Sequence, residues 1–237
     1  IHLLGIEVRG PRIKKSAKGR AMVKRARRNP INNAKARPSQ TLLVRPVVLG
    51  RQLLPDRLVN KLKYVSTTTF NVSTGSAVND FTANGMLDPD VTGGGHAPMG
   101  YDQMVALYSR YTVLNSSFKI TLLPVATRTG VLTVMLSDNV GGLTLSQYQE
   151  QQKAKNYIFS NTDTKVTGTS YFNAKQMYGD NVENNSLFKG TLTTNPTEQA
   201  YFRVKYFDPA LTTDTIQVHV EIEYTCLWSE LLDLTAS

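Results

Sequence analysis

The chain has 237 residues, of which 41% are hydrophobic and 19% charged, and its formal net charge at pH 7 is +9. This composition suits one sizeable hydrophobic core, and the absence of a run of about 18 apolar residues argues against a transmembrane helix. The single cysteine, Cys226, excludes an internal disulfide and a cysteine-based metal site, so we expect a small buried hydrophobe there.

The positive charge is concentrated near the start of the chain. Residues 1–63 contain 17 basic and 2 acidic residues, a net charge of +15, whereas residues 64–237 contain 10 basic and 16 acidic residues, a net charge of −6. A strongly basic segment attached to a mildly acidic body indicates two parts with different partners. We therefore predict a basic nucleic-acid-binding arm and connector, residues 1–55, followed by a folded domain, residues 56–237.

Residues 9–37 contain no Asp or Glu and carry too little apolar surface to offset the entropy of folding. Such a segment self-repels, so we expect it to bind a polyanion. Clusters of charge separated by small residues suit contacts with phosphates, without recognition of bases. The predicted nucleic-acid-binding residues are Arg9, Arg12, Lys14, Lys15, Lys18, Arg20, Lys24, Arg25, Arg27, Arg28, Lys35 and Arg37.

A short basic cluster within this segment has two further interpretations. It fits a nuclear localisation signal, or a patch that binds any polyanion. A membrane-surface role fits less well, because the segment lacks the Trp, Phe and Leu face that an interfacial helix buries in lipid. The cluster consists of Lys24, Arg25, Arg27 and Arg28.

The body alternates apolar and polar residues with the period of two that is typical of half-buried β-strands. The last strand gives the cleanest pattern, and its length indicates that it crosses the whole core. A segment that is apolar on both faces, residues 131–136, indicates a central strand. In chain order, the predicted strands cover residues 61–72, 76–82, 114–122, 131–136, 157–160, 166–172, 199–207 and 216–228.

Helical patterns are few and short. Residues 101–111 place Met104, Leu107, Tyr108 and Tyr111 on one helical face, and residues 145–155 form a more polar candidate that follows Thr144. The Gly- and Asn-rich stretches at residues 75–98 and 178–196 are predicted to be surface loops. About eight strands with short helices in the loops predict an all-β fold, a single jelly roll in which eight strands form a double-sheet β-sandwich.

No motif for catalysis or for a cofactor is apparent, so we expect neither an enzyme nor a cofactor. The histidines His2, His96 and His219 have no partners at zinc-ligand spacing. Asp88 and Asp90 could share a calcium ion with an oxygen from another subunit, but solvated turn residues around a proline are the simpler interpretation.

Two further groups of side chains are of the types used in acid–base catalysis and in base stacking. Glu221 and Glu223 lie on one face of the last strand, which suits acid–base chemistry, although such pairs more commonly face solvent or a neighbouring subunit. The arm contains no aromatic residue, so base stacking would need Tyr64, Phe70 or loop tyrosines. We expect those aromatic side chains to be buried in the core instead.

Residues 98–117, PMGYDQMVALYSRYTVLNSS, resemble a segment of the capsid proteins of small circular single-stranded DNA viruses, the circovirus-like members of the CRESS-DNA group. Those proteins often carry Pro-x-Gly-Tyr/Phe-Asp-Gln, then Tyr and Tyr-x-Val leading into a strand. The order of parts is also similar: a basic arm, a Leu-Pro-Asp-Arg entry at residues 54–57 and a long final strand. The arm departs from the densest circovirus arms because Lys and Ala are interspersed among its arginines.

The resemblance implies a jelly roll that assembles in many copies into an icosahedral shell and packages a single-stranded genome, DNA rather than RNA. It implies a virion protein that is present in the host nucleus during assembly. It also implies a host receptor, whose identity the sequence does not indicate, and no membrane partner. The alternatives are an RNA-virus jelly-roll capsid, a non-viral nucleic-acid-binding accessory protein with a β-sandwich domain, and a β-sandwich enzyme. The acidic body disfavours the accessory protein, and the lack of clustered His and carboxylate ligands disfavours the enzyme.

Overall fold

The computed structural model describes residues 54–123 and 128–233. Three short helices, α1 (Tyr101–Val105), α2 (Leu145–Glu150) and α3 (Ala174–Tyr178), and two 3-10 helices, Val182–Asn184 and Ser186–Phe188, lie between strands. None of the helices in these ranges has the length and apolar character needed to cross a membrane. The strands are β1 (Arg57–Val72), β2 (Ser76–Thr82), β3 (Tyr108–Leu123), β4 (Gly130–Ser137), β5 (Lys155–Phe159), β6 (Val166–Asn173), β7 (Tyr201–Phe207) and β8 (Asp214–Leu231).

The strands form two four-stranded sheets, and every strand pair is antiparallel. The first sheet has the order β1-β8-β3-β6 and the second the order β2-β7-β4-β5. Apart from β4 and β5, strands that are consecutive in the chain are not neighbours in a sheet, so most connections pass from one sheet to the other, as in a jelly roll. The predicted fold class is confirmed: an eight-stranded double-sheet jelly roll with short helices in the loops.

Strand β8 lies at the centre of the first sheet and pairs with β1 from Arg57↔Ser229 to Val72↔Asp214. On its other side it pairs with β3. Because successive strand residues point to opposite faces, one alternate set of β8 side chains fills the core. The predicted apolar face is confirmed as buried: Ile216, Val218, Val220, Ile222, Tyr224, Cys226 and Trp228.

The predicted helix over residues 101–111 is wrong in its second half. Helix α1 ends at Val105, and Tyr108 and Tyr111 belong to β3, where Tyr111 lies opposite Trp228 of β8. Aromatic and β-branched residues favour strands, and pairing with β8 outweighs the helical spacing. A register shift between Val113 and Asn115 also breaks the alternation, so the strand pattern in the sequence is clear only after it.

The predicted surface loop over residues 75–98 is also partly wrong. Residues 76–82 form β2, as the sequence indicated, but most of residues 83–90 are buried against the sandwich. Asparagine side chains make this burial possible, because Asn84 accepts from the backbone N–H of Ala200 and donates to the carbonyl of Glu198. Irregular backbone can be buried where side chains satisfy its polar groups in this way.

Candidate functional site

The predicted nucleic-acid-binding arm lies outside the described residues. The same holds for the predicted nuclear localisation signal and for most of the predicted connector. The boundary between residues 55 and 56, and the role of each basic residue, therefore stay predictions. The described residues belong to the folded domain, whose loops, sheet faces and edge strands are the surfaces available for binding.

The segment that resembles circovirus-like capsids builds an aromatic cluster around Trp228. The ring centroid of Trp228 lies 6.1 Å from that of Tyr101, 6.5 Å from that of Tyr108 and 5.7 Å from that of Tyr111. All four side chains are at most 1% exposed, and the Trp228 indole N–H donates to Asn60 Oδ1 over 2.7 Å. The glycine of the motif, Gly100, has φ of +89° and begins α1, a conformation that favours glycine.

The hydroxyl groups of the same tyrosines bind two separate segments, the loop at residues 191–195 and the chain that enters β1. Tyr101 donates to the carbonyl of Thr191 over 2.8 Å, Tyr108 to the carbonyl of Pro55 over 2.8 Å, and Tyr111 to Asn195 Oδ1 over 3.0 Å. Burial raises the pKa of Tyr101 to about 12 and that of Tyr111 further, so both remain protonated donors. The segment thus positions loops, and its buried tyrosines are not free to contact a ligand.

The two candidate metal ligands lie in different surroundings. The buried Asp90 accepts hydrogen bonds at Oδ1 from the backbone N–H groups of Thr92 and Gly93, over 3.2 and 3.0 Å, and from the Thr92 hydroxyl over 3.2 Å. Asp88 Oδ1 is buried without a hydrogen-bond partner, and burial raises the pKa of the Asp88 carboxyl. Among the described residues, no three or more His, Cys, Asp or Glu side chains form a potential metal site. Asp90 serves the turn, and a calcium ion shared with another subunit stays a prediction.

Ion pairs cover the outward face of the first sheet. The Glu221 carboxylate lies 2.6 Å from Lys63 Nζ and 2.9 Å from Lys119 Nζ, and that of Glu223 lies 2.7 Å from Lys61 Nζ. Hydrogen bonds from Lys63 and Lys119 lower the pKa of Glu221 to about 2. The two glutamates therefore take the commoner of the two roles considered: they face outward and bind lysines of neighbouring strands.

The candidate base-stacking aromatics and the single cysteine lie in the core, whereas His219 lies on the outward face of the first sheet. Tyr64 and Phe70 are 0% exposed, so neither can stack on a base. Cys226 is also fully buried, and burial raises the pKa of its thiol, as expected of a small core hydrophobe. His219 lies near Thr67, 3.3 Å from its hydroxyl, on the same outward face as the ion pairs.

A buried polar cluster on the second sheet was missed in the sequence. Arg203 of β7 is 3% exposed, and its Nε lies 2.9 Å from Asp80 Oδ1 of β2. Arg203 also donates to the carbonyls of Asn139, Val140 and Gly141, over 2.9 to 3.2 Å. The guanidinium thus attaches the loop that follows β4 to the face of the second sheet.

Helix α2 packs on the same face of the second sheet as this loop. The Tyr148 ring centroid lies 5.0 Å from Arg203 Cζ and 5.0 Å from Lys205 Nζ, and Lys205 donates to the carbonyl of Leu143 over 3.1 Å. Burial lowers the pKa of Lys205, and the charge of Arg203 adds to this effect. The sequence could not reveal the cluster, because alternating Arg203 and Lys205 with apolar residues also fits a solvent-exposed sheet face.

No protein-family model matches the chain, and no curated protein does. Among solved structures, the chain is similar to that of Desmodium yellow mottle tymovirus, with 11% identity over 82% of this chain and 99% of the other and a TM-score of 0.46. It is similar to Cocksfoot mottle virus, with 10% identity, coverage of 75% and 97% and a TM-score of 0.48. It is also similar to a decameric BFDV capsid protein, with 11% identity, coverage of 73% and 99% and a TM-score of 0.43. Similarity at this level carries no information on function.

Proposed function

We propose that this chain is a viral coat protein that assembles in many copies into a closed icosahedral shell and packages a single-stranded genome. The observation that carries the proposal is the order of its parts: the acid-free basic segment at residues 9–37 precedes a jelly roll whose residues 64–237 have a net charge of −6. The arm and the body thus differ in charge, as expected if only the arm binds the genome strongly.

The arm would neutralise phosphates and release their counterions, which makes binding strong, salt-dependent and nearly independent of sequence. Many arms on one genome would couple packaging to assembly. The resemblance of residues 98–117 to circovirus-like capsids favours DNA over RNA. It also favours a nuclear stage of assembly, with residues 24–28 as the import signal.

The body offers surfaces for contacts between copies. Each sheet has two edge strands, which are sites where another chain can pack or pair. On the edge strand β1, Val59 is 55% exposed and Val65 is 40% exposed, next to lysines that are engaged in ion pairs. Apolar groups bordered by charge are typical of interfaces between subunits. A closed shell would cover such surfaces by repeating one set of contacts.

The competing function is a non-viral nucleic-acid-binding accessory protein that uses the same arm. The two functions differ in the product they form in solution. A coat protein forms closed particles that protect nucleic acid from nuclease, whereas an accessory protein forms small complexes that dissociate in salt.

Deletion of residues 1–37 tests the role of the arm. We expect particles of the shortened chain to contain little nuclease-protected nucleic acid, measured as the ratio of absorbance at 260 and 280 nm. Replacement of the twelve basic residues by Gln is the matched control, because it keeps the length of the arm and should give the same loss. Unchanged packaging by both variants would contradict the proposal.

A further inference from the structure

An open groove lies beside the end of β4 that has no partner from β5. Strand β5 pairs with β4 from Gly130↔Phe159 only as far as Val134↔Lys155, whereas β4 continues to Ser137. Strand β6 of the other sheet and helix α3 face the space that β5 leaves. The resulting groove has a volume of about 430 Å³, and its lining includes Leu136, Lys153, Lys155, Tyr171, Gln176 and Met177.

The lysines of this groove differ from the other cations of the described residues. Within residues 54–123 and 128–233, every Lys and Arg with an exposed or partly exposed side chain forms an ion pair except Lys153, Lys155 and Lys165. Lys153 and Lys155 lie at the start of β5 and line the groove, whereas Lys165 lies in the loop between β5 and β6. Lysines without a carboxylate partner are the groups of this acidic body that attract an external anion most strongly.

The remaining lining suits a nucleotide. Tyr171 lies on the outward side of β6 and is 52% exposed, so part of its ring is accessible to a ligand. Leu136 and Met177 supply apolar surface, and Gln176 supplies an amide that can hydrogen-bond to any base. Lysines beside an exposed aromatic ring are the combination that binds single strands without sequence preference. The groove volume fits one or two nucleotides and is too small for a folded partner.

We propose that this groove binds a short segment of single-stranded nucleic acid, with phosphates at Lys153 and Lys155 and a base stacked on Tyr171. The inference goes beyond the packaging role of the arm, because it places a second nucleic-acid contact on the folded body. A segment bound there would be held at a fixed position relative to the jelly roll, whereas phosphate contacts along the arm select no position.

Photo-cross-linking of the full chain to oligodeoxythymidylate tests the proposal. Ultraviolet irradiation, proteolysis and mass spectrometry should locate one cross-link at Tyr171, separate from those on arm peptides. The double variant Lys153→Ala/Lys155→Ala should lower the yield of the Tyr171 cross-link about tenfold, the combined effect of two screened ion pairs. The variant Tyr171→Phe should keep a cross-link at that position because it keeps the ring.

Lys175→Ala is the matched control, because Lys175 lies near the groove but is paired with Asp180. This change should leave the Tyr171 cross-link unchanged. Cross-links on the arm with none at Tyr171 would overturn the groove and leave the proposed function intact. A cross-link at Tyr171 with none on the arm would support the groove and contradict the role of the arm.

A second occupant would also overturn the proposal. If the groove instead receives an acidic segment of another copy, a carbodiimide should couple Lys153 or Lys155 to Asp or Glu of a second chain. Mixing isotopically labelled and unlabelled chains separates coupling between copies from coupling within one copy. Such products, together with no Tyr171 cross-link to DNA, would assign the groove to assembly.

Discussion

Gly190 lies directly under the ring of Tyr111, and the two residues exchange backbone hydrogen bonds of 2.9 and 3.0 Å. A Cβ atom at Gly190 would overlap that ring. We expect Gly190→Ala to lower the free energy of unfolding by about 2 kcal/mol, because a buried aromatic ring cannot move aside without strain. Denaturant unfolding measures this change.

The control for this prediction is Gly142→Ala, in the loop after β4. A Cβ at Gly142 would meet no atom within 4 Å, and its backbone does not require glycine. This variant should unfold within about 0.5 kcal/mol of the parent chain. Equal stability of the two variants would show that Gly190 does not support the Tyr111 ring.

Glu221 provides a pH-dependent contribution to stability. Its pKa in the folded state is about 2, below the usual value of 4.5 for a glutamate, because Lys63 and Lys119 hydrogen-bond its ionised form. The stabilisation is therefore fully present above about pH 4.5 and is lost as the pH falls towards 2. We expect Glu221→Gln to remove this part of the pH dependence, by less than about 1 kcal/mol since the lysines are exposed.

Unfolding measured between pH 2 and 6, at low and high salt, checks this effect. High salt should shrink the difference between the parent chain and the variant. Glu150→Gln is the control, because Glu150 forms no ion pair among the described residues. If Glu150→Gln and Glu221→Gln changed the pH profile equally, the lysine pairs would not be its cause.

At the scale of elements, Arg203 holds the loop after β4 and helix α2 on the second sheet. Arg203→Met would leave Asp80 buried without a cation, so we expect a loss of about 3 kcal/mol in the free energy of unfolding. Amide hydrogen exchange should rise over residues 138–151, because Arg203 binds the carbonyls of residues 139–141 and packs on the ring of Tyr148.

The double variant Asp80→Asn/Arg203→Met separates charge from attachment. Removing both charges should recover part of the stability but not the slow exchange of residues 138–151. If Arg203→Met alone left exchange in that loop unchanged, then Arg203 would not attach the loop.

The sequence predicted elements well where the pattern is local. The alternation of β8 is strict from Ile216 to Cys226, because over this range one face packs in the core and the other carries ion pairs, so the polarity of each residue indicates the face on which it lies. The pattern over residues 101–111 fits a helix and a strand equally, and only pairing with β8 decides between them. The burial of Arg203 depends on Asp80, 123 positions away, and on a loop that folds back over β7. Contacts between residues so far apart in the chain produce no pattern in the local sequence.

The candidate sites were less predictable than the fold. The arm was predicted from charge composition alone, and its role stays a prediction. The groove beside β5 was not, since Lys153 and Lys155 resemble ordinary surface lysines in the sequence. They become distinctive only when the ion pairs of the other cations are known, together with the start of β5 at Lys155, which leaves the last residues of β4 without a partner from β5.

At the scale of the whole molecule, one jelly roll leaves edges and loops exposed for contacts with other copies. If the arm neutralises phosphates as proposed, its contacts with nucleic acid weaken as the salt concentration rises. Assembly should therefore be salt-sensitive, with fewer filled particles as ionic strength rises.

The most direct test of the coat-protein proposal is negative-stain electron microscopy of the purified full chain, with absorbance at 260 and 280 nm before and after nuclease treatment. The proposal predicts uniform closed particles whose nucleic acid survives the nuclease. A small monodisperse species that binds nucleic acid only in low salt would contradict it and would favour the accessory protein.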